Sequence, residues 1–161
     1  SFSKSFIPGL RMGFIIAPKS LIQSMTNVHG VNDMCSSTIS QLVLADALAS
    51  GLYPRHLRRM RKVYRKRCKT MEQALNEQLP EGCQFHTPKG GFFFWIRLPE
   101  VIDSQALKKR CNEDGVDFAD GPHFSAEGLG ANYVRLNFTL LDEDAIVKGV
   151  KVMGRNIKKL L

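Results

Sequence analysis

The chain has 161 residues, which is the length of one ordinary domain and enough to bury a sizeable core. Hydrophobic residues make up 43% and charged residues 24%, a globular composition that excludes a disordered or low-complexity chain. No apolar run approaches the roughly 20 residues of a transmembrane helix, so we expect no membrane partner. The four cysteines contain no CxxC pair, and no metal is expected.

The net charge of +8 comes from a single segment. Between Arg55 and Lys69 there are nine basic residues and no acidic one, whereas the rest of the chain carries 14 basic and 15 acidic residues. Apolar residues recur through the same segment at three- and four-residue spacing, as on one face of a long helix. We therefore expect a solvated and partly interdomain helix face, and nucleic acid is not expected as a partner.

The first half of the chain is predicted to be mainly helical around one buried strand. The predicted elements are the strand Met12–Ala17, a helix capped by Ser36–Thr38 and a long helix from Gly51 to Leu79. Pro18 closes the strand, and Pro80 and Gly82 end the long helix. A lone strand that is buried on both faces needs sheet partners, which this chain does not supply.

The second half is predicted to alternate strands and helices. From Cys83 the order is strand, strand, helix, strand, strand, helix, which favours a small α+β layer with helices on one face. The assigned segments are Gly91–Leu98, Ser104–Asp114, Val116–Phe118, Tyr133–Phe138 and a last helix with Asp142 as its N-cap. Acidic residues follow Asp142 in the first turn of that helix, where the helix dipole favours them.

The opening residues carry the clearest chemical signal. Two hydroxyls, Ser1 and Ser3, lie just before Lys4, and Arg11 follows a Pro-Gly pair. A lysine forms a Schiff base with a carbonyl when burial or nearby positive charge lowers its pKa. Hydroxyls and a guanidinium together suit a phosphate group. On spacing alone, a surface loop with a solvated lysine and an ordinary arginine is the favoured interpretation.

Five motifs of the chain resemble, in the same order, those of the class I/II (fold-type I) pyridoxal-phosphate-dependent aminotransferases. Within that family, the resemblance is to kynurenine/2-aminoadipate and aromatic aminotransferases. Ser-Phe-Ser-Lys followed by Pro-Gly-Leu-Arg-x-Gly is similar to the family's lysine motif. The other four are the Arg-rich run of the long helix and the segments Pro88–Trp95, Gly115–Phe124 and Tyr133–Phe138. Asp120-Gly121-Pro122 departs from the Pro-Gly of the family's loop, which leaves the substrate side chain open.

The resemblance implies a role for each candidate residue. Lys4 matches the lysine that forms the Schiff base with pyridoxal 5'-phosphate and shuttles the proton. Ser1, Ser3 and Arg11 match positions that hold the cofactor phosphate. Arg135 matches the arginine that binds the substrate α-carboxylate, and the alternative is a strand residue paired with an acidic neighbour. No catalytic role is expected for His123, because a lone loop histidine is usually solvated.

The resemblance also implies the fold and its division. We expect an α/β protein in which residues 1–79 are the end of the large cofactor-binding domain with the long connecting helix. Residues 80–161 are expected to form a complete small C-terminal α+β domain. The family's other cofactor contacts lie before the lysine, so we expect the chain to be the C-terminal part of a longer enzyme.

The predicted function is amino-group transfer between an amino acid and a 2-oxo acid, in a cytoplasmic homodimer. One alternative is a DNA-binding transcriptional regulator whose aminotransferase-like domain only senses the cofactor. Another alternative is a related fold-type I lyase or synthase.

Overall fold

The structure is a computed structural model that describes residues 1–33 and 35–161. Residue packing divides the chain into two units, Ser1–Arg61 and Lys62–Leu161. The helices are α1 (Lys19–Asp33), α2 (Thr38–Ala49), α3 (Leu52–Gln78), α4 (Ser104–Glu113) and α5 (Glu143–Lys158). The strands are β1 (Gln84–Phe85), β2 (Phe93–Arg97), β3 (Ala119–Asp120) and β4 (Tyr133–Asn137). None of the helices that the structure describes is long and apolar enough to cross a membrane.

The first unit contains a compact opening loop and helices α1, α2 and the start of α3. Helix α2 has the predicted cap, because the Ser37 hydroxyl accepts a hydrogen bond from the Ser40 N–H at 3.3 Å. Helix α1 was not predicted. It begins directly after Pro18, and the N–H groups of Leu21 and Ile22 both bond to the Pro18 carbonyl. Its apolar residues Leu21, Met25, Val28 and Val31 recur at three- and four-residue spacing, and their side chains are exposed.

The predicted strand Met12–Ala17 is wrong. The structure gives this segment no regular secondary structure, and the side chains of Phe14, Ile15 and Ile16 are 63%, 60% and 88% exposed. A strand exists only through hydrogen bonds to a neighbouring strand. The described part of the first unit contains no strand to provide them.

The second unit contains an antiparallel sheet with the strand order β1-β2-β4-β3. The predicted order of strands and helices after Cys83 is confirmed. The third strand lies later than expected, at Ala119–Asp120 instead of Val116–Phe118. The reason is that the Val116 N–H bonds to the Cys111 carbonyl at the end of α4, so this stretch leaves the helix before it reaches the sheet.

The helices of the second unit cover one face of the sheet. Phe94 and Ile96 of β2 and Val134 and Leu136 of β4 are buried in one apolar core. The helices contribute Met71, Ala74, Leu75, Leu107, Cys111, Ile146, Val150, Met153 and Ile157 to the same core. The intervening strand residues, Trp95 and Arg135 among them, belong to the opposite face.

The predicted long helix is confirmed as α3, which ends at Gln78. The division between the two packing units falls inside this helix, after Arg61, because its C-terminal half buries Met71 and Leu75 in the core of the second unit. The domain boundary expected at residues 79 and 80 stays a prediction.

Candidate functional site

The opening loop closes on itself over residues 2–12. The Phe2 N–H donates to the Met12 carbonyl at 2.9 Å, and the Phe6 N–H donates to the Phe2 carbonyl at 2.9 Å. Pro8–Leu10 forms a short 3₁₀ turn inside the loop. The two ends of the segment therefore lie side by side, which brings residues far apart in the loop into contact.

The three residues predicted to bind an anion lie together in this loop. The Arg11 guanidinium donates to the Ser3 hydroxyl at 3.2 Å, and the Ser3 N–H donates to the Ser1 hydroxyl at 3.3 Å. Arg11 adopts the left-handed backbone conformation (φ 52°), which is uncommon outside glycine. Its N–H and its guanidinium both bond to the Pro8 carbonyl, so the turn holds the side chain over the serines.

Arg11 has an unused capacity to bind an anion. Its side chain is exposed, and none of the ion pairs between described residues includes it. Both groups that accept its hydrogen bonds, the Ser3 hydroxyl and the Pro8 carbonyl, are neutral. A guanidinium with only neutral acceptors keeps its charge available for a phosphate or carboxylate.

Lys4 lies in the same loop, between the two serines Ser3 and Ser5, and its side chain is exposed. The loop around it is anchored to the start of α3. The Ser5 hydroxyl lies 3.0 Å from the Tyr53 hydroxyl, and the rings of Phe2 and Phe6 both contact the Tyr53 ring edge-on at 5.5 Å. Tyr53 therefore fixes the backbone on both sides of Lys4. Sequence reasoning did not single out Tyr53, because nothing in its spacing marks a contact with the loop.

Arg135 lies in the second unit, on the sheet face that the helices do not cover. Its guanidinium carbon is 4.1 Å from the centre of the Phe93 ring and 4.1 Å from that of Phe124. The described ion pairs do not include Arg135 either, so the acidic neighbour of the alternative interpretation is not provided by the described side chains. The two aromatic rings stabilise the cation, whose N–H groups have no acidic partner among the described side chains.

An aromatic cluster continues from Arg135 across the same face. The Trp95 ring contacts the Phe124 ring edge-on at 5.4 Å and stacks on the Tyr133 ring at 5.7 Å. Phe93, Trp95 and Phe124 remain 37%, 41% and 45% exposed, which leaves a partly open apolar surface beside the cation. Phe124 is the last residue of the motif Gly115–Phe124, but the motif does not predict its contact with Arg135.

A buried carboxylate lies next to this cluster. Asp120 is only 1% exposed, and it is bonded by the Lys108 ammonium at 3.3 Å and the His123 Nδ1 at 2.9 Å. Burial acts to raise the pKa of the Asp120 carboxyl, but hydrogen bonds from its own backbone, from His123 and from Lys108 outweigh it. The net shift of the Asp120 pKa is downward, so the group is a carboxylate at neutral pH.

Metal-ligating side chains, cysteines and cavities are the other features that could form a functional site. Within the described residues, no group of three or more His, Cys, Asp or Glu side chains is placed to hold a metal ion. Burial raises the pKa of the Cys111 thiol to about 11, so this cysteine is not a nucleophile at neutral pH. A cavity of about 390 Å³ lies between β4 and α5, and most of the residues that line it are apolar.

Comparisons with known proteins agree on one family. Residues 1–152 match the sequence profile of the family described as aminotransferase class I and II. The solved kynurenine aminotransferase of Pyrococcus horikoshii, in complex with PMP, is 35% identical with a TM-score of 0.96, over 100% of this chain and 40% of that one. LysN, the α-aminoadipate aminotransferase of Thermus thermophilus, complexed with N-(5'-phosphopyridoxyl)-L-leucine, is 34% identical with a TM-score of 0.92, over 99% and 41%.

A relative of a different kind also matches. The uncharacterized HTH-type transcriptional regulator YdfD of Bacillus subtilis is 32% identical over 160 residues, which is 99% of this chain and 33% of the regulator. The chain thus spans about 40% of the length of the solved enzymes that it matches, and a third of the regulator.

Proposed function

Because the chain belongs to the class I and II aminotransferase family, we propose that the complete protein transfers an amino group between an amino acid and a 2-oxo acid. The family and the α/β fold predicted from the motifs are confirmed. Enzymes of this family depend on pyridoxal phosphate, and the LysN neighbour holds a phosphopyridoxyl group. The observation that carries the proposal is the cluster of Ser1, Ser3 and Arg11 in the same closed loop as Lys4.

The donors of this loop fit the phosphate of the cofactor. Arg11 offers a guanidinium with no anionic partner among the described side chains, and Ser1 and Ser3 offer hydroxyls on the same side of the loop. Charge-assisted hydrogen bonds of this kind are roughly twice as strong as neutral ones. We assign the binding of the phosphate to these three residues, with Arg11 as the main contributor of charge.

Lys4 is the group that moves a proton in this proposal. When bound, pyridoxal phosphate supplies an electron sink for the charge left on the substrate Cα. The Lys4 amine would hold the cofactor and, once the substrate amine has displaced it, would take the proton from the substrate Cα and deliver it to the far end of the 1,3-proton shift that amino transfer requires. The anchoring of Ser5, Phe2 and Phe6 on Tyr53 supports this role, because it limits the positions that the Lys4 amine can reach.

Arg135 binds the substrate α-carboxylate. The guanidinium carbon lies over the rings of Phe93 and Phe124, so a carboxylate has to approach the N–H groups that the rings leave uncovered. That approach favours two parallel N–H···O hydrogen bonds, which a lysine cannot form. Lys4 and Arg135 belong to different packing units, and each role is assigned from its own surroundings.

The remaining expectations extend this proposal to the complete protein. Amino acids and 2-oxo acids are the substrates of the family, and dimers are typical of it, so we propose a homodimer. Residues 1–79 are proposed to end the cofactor domain, and residues 80–161 to form the small domain. The cytoplasmic location and the absence of a nucleic-acid partner stay predictions.

The proposal is tested by assaying the complete protein with pyridoxal phosphate. Amino acids are offered with 2-oxoglutarate, and the new amino acid is quantified together with any product of elimination. We expect equal amounts of oxo acid formed and amino acid formed, and loss of both in Lys4→Ala but not in the control Lys19→Ala. Elimination without amino transfer would replace the proposal by the lyase or synthase alternative.

The similarity to YdfD supports a regulator as the second candidate. A regulator would bind DNA tightly and sequence-selectively at about 150 mM salt, whereas basic patches alone bind weakly at that salt concentration. We expect the complete protein to transfer amino groups and to show no selective DNA binding. Selective binding without amino transfer would favour the regulator.

A further inference from the structure

The ring of Phe124 reaches Arg135 from a short 3₁₀ turn, Gly121–Phe124, instead of from the sheet. Phe93, the other ring over which the guanidinium carbon lies, belongs to β2 and is held by the pairing of β2 with β4. The position of the Phe124 ring therefore depends on the contacts that hold this turn in place.

Two independent contacts hold this turn. At its start, Gly121 is packed so closely against the following segment that an added Cβ would lie 2.1 Å from the Gly130 carbonyl oxygen. Near its end, His123 bonds through Nδ1 to the buried carboxylate of Asp120, at 2.9 Å. Lys108 of α4 bonds to the other oxygen of the same carboxylate, at 3.3 Å.

A buried carboxylate is costly unless it is paired, so its presence beside a turn whose last two residues, His123 and Phe124, are exposed calls for a reason. The His123 side chain is 69% exposed, and this bond orders a ring that would otherwise move freely in solvent. The residue that follows His123 is Phe124. The bond consequently fixes the backbone from which the Phe124 ring extends over Arg135.

We propose that Asp120 is a positioning residue for Arg135: by holding His123 and Lys108, it keeps the Phe124 ring on the guanidinium and so orients the N–H edges toward a carboxylate. The proposal rests on the proposed role of Arg135 in binding the substrate α-carboxylate. Without the ring, the long arginine side chain samples more conformations. A smaller fraction of these conformations can form two parallel hydrogen bonds with a carboxylate.

The test measures carboxylate binding by the complete protein with its cofactor. The probe is 3-phenylpropanoate, which has no amino or oxo group and so cannot undergo transfer, and its Kd is measured by calorimetry. We expect Asp120→Asn to weaken binding by about 5- to 20-fold. The KM of both substrates should rise while kcat changes by less than about twofold, because the substitution removes binding and leaves the proton transfer unchanged.

A double-mutant cycle separates positioning from general destabilisation. If Asp120 acts through Phe124, then Asp120→Asn in a Phe124→Leu background should weaken binding by less than about twofold further. The matched control is Asp117→Asn, since Asp117 also pairs with Lys108, at 3.6 Å, but its side chain is 72% exposed. Its Kd should be unchanged.

Each result decides a different claim. Native affinity in Asp120→Asn, or effects that simply add in the double variant, would overturn the positioning role. If Asp120→Asn does not fold, His123→Ala removes the same bond from the side of the turn and is judged by the same criteria. Native affinity in Arg135→Lys would instead overturn the proposed role of Arg135, whatever the Asp120 variant shows.

Discussion

The guanidinium of Arg11 lies 3.2 Å from the hydroxyl of Ser3, eight residues earlier in the same closed loop. Arg11 makes this contact from a left-handed backbone conformation, in which its N–H donates to the Pro8 carbonyl. Arg11 and Ser3 thus define one wall of the anion site that we assign to the phosphate.

Replacing Arg11 should weaken the phosphate-bearing cofactor selectively. Arg11→Lys keeps the charge but loses the planar fork, so the affinity for pyridoxal phosphate should fall about tenfold, as expected for losing a hydrogen bond to a charged group. The affinity for pyridoxal, which has no phosphate, should not change. Spectroscopic titration of the complete protein checks both, with Arg55→Lys as the exposed control. Equal losses for the two ligands would place Arg11 outside the phosphate site.

Lys4 should be the residue to which the cofactor is joined. Borohydride reduction of the complete protein with pyridoxal phosphate, followed by peptide mass mapping, should find the pyridoxyl group on the peptide that contains Lys4. Lys4→Ala should remove the adduct, whereas Lys19→Ala should retain it. An adduct on any other lysine would contradict the assignment.

Arg135→Lys should raise the KM of the amino acid and of the oxo acid alike. Both substrates carry the α-carboxylate, and losing a two-point charged contact costs about 2–5 kcal/mol. Steady-state kinetics measure the effect, while the absorbance of the bound cofactor should stay normal because Arg135 is not assigned to it. Unchanged kinetics would return Arg135 to a structural role.

Gly154 and Gly149 of α5 should respond in opposite ways to alanine. An added Cβ at Gly154 would lie 2.5 Å from the Gln78 carbonyl oxygen, so Gly154→Ala should lower the free energy of unfolding by about 1–3 kcal/mol. At Gly149 nothing lies within 4 Å of an added Cβ, and Gly149→Ala should raise it by about 0.5–1 kcal/mol. Urea unfolding of both variants measures the difference, and a stable Gly154→Ala would show that α3 and α5 can separate at little cost.

Acid should weaken the link between α4 and α5. Hydrogen bonds from Asn156 and Arg155 lower the pKa of the Asp114 carboxyl. The folded state therefore prefers the charged form of Asp114. The contribution of this carboxylate to the stability of the fold is fully present above the pKa of an aspartate in the unfolded chain, and it is lost as the pH falls through the lowered pKa of the folded state. Asp114→Asn should unfold at a lower temperature than the wild type at neutral pH, and the difference should close in acid. The neighbouring control Glu113→Gln should show no such convergence.

Elements with local signals agree with the sequence, whereas not every element that depends on distant partners does. Helices α2, α3 and α5 were predicted because capping residues and apolar spacing act within a few turns of the chain. The strand at Met12–Ala17 was predicted from its apolar residues and is wrong, because a strand depends on partners that are distant in sequence. Helix α1 was not predicted, although Leu21, Met25, Val28 and Val31 follow the three- and four-residue spacing of a helix face.

The sequence by itself determined the family, the order of elements after Cys83 and the residues that form the loop around Lys4. These depend on short motifs and on contacts between residues that are near in the chain. Only the tertiary structure decided what surrounds Arg135. Its two aromatic neighbours come from a strand about forty residues before it and from a turn about ten residues before it, and their meeting depends on strand register and on the path of that turn. Such contacts leave no periodic or local trace in a single sequence, because packing between distant elements selects them.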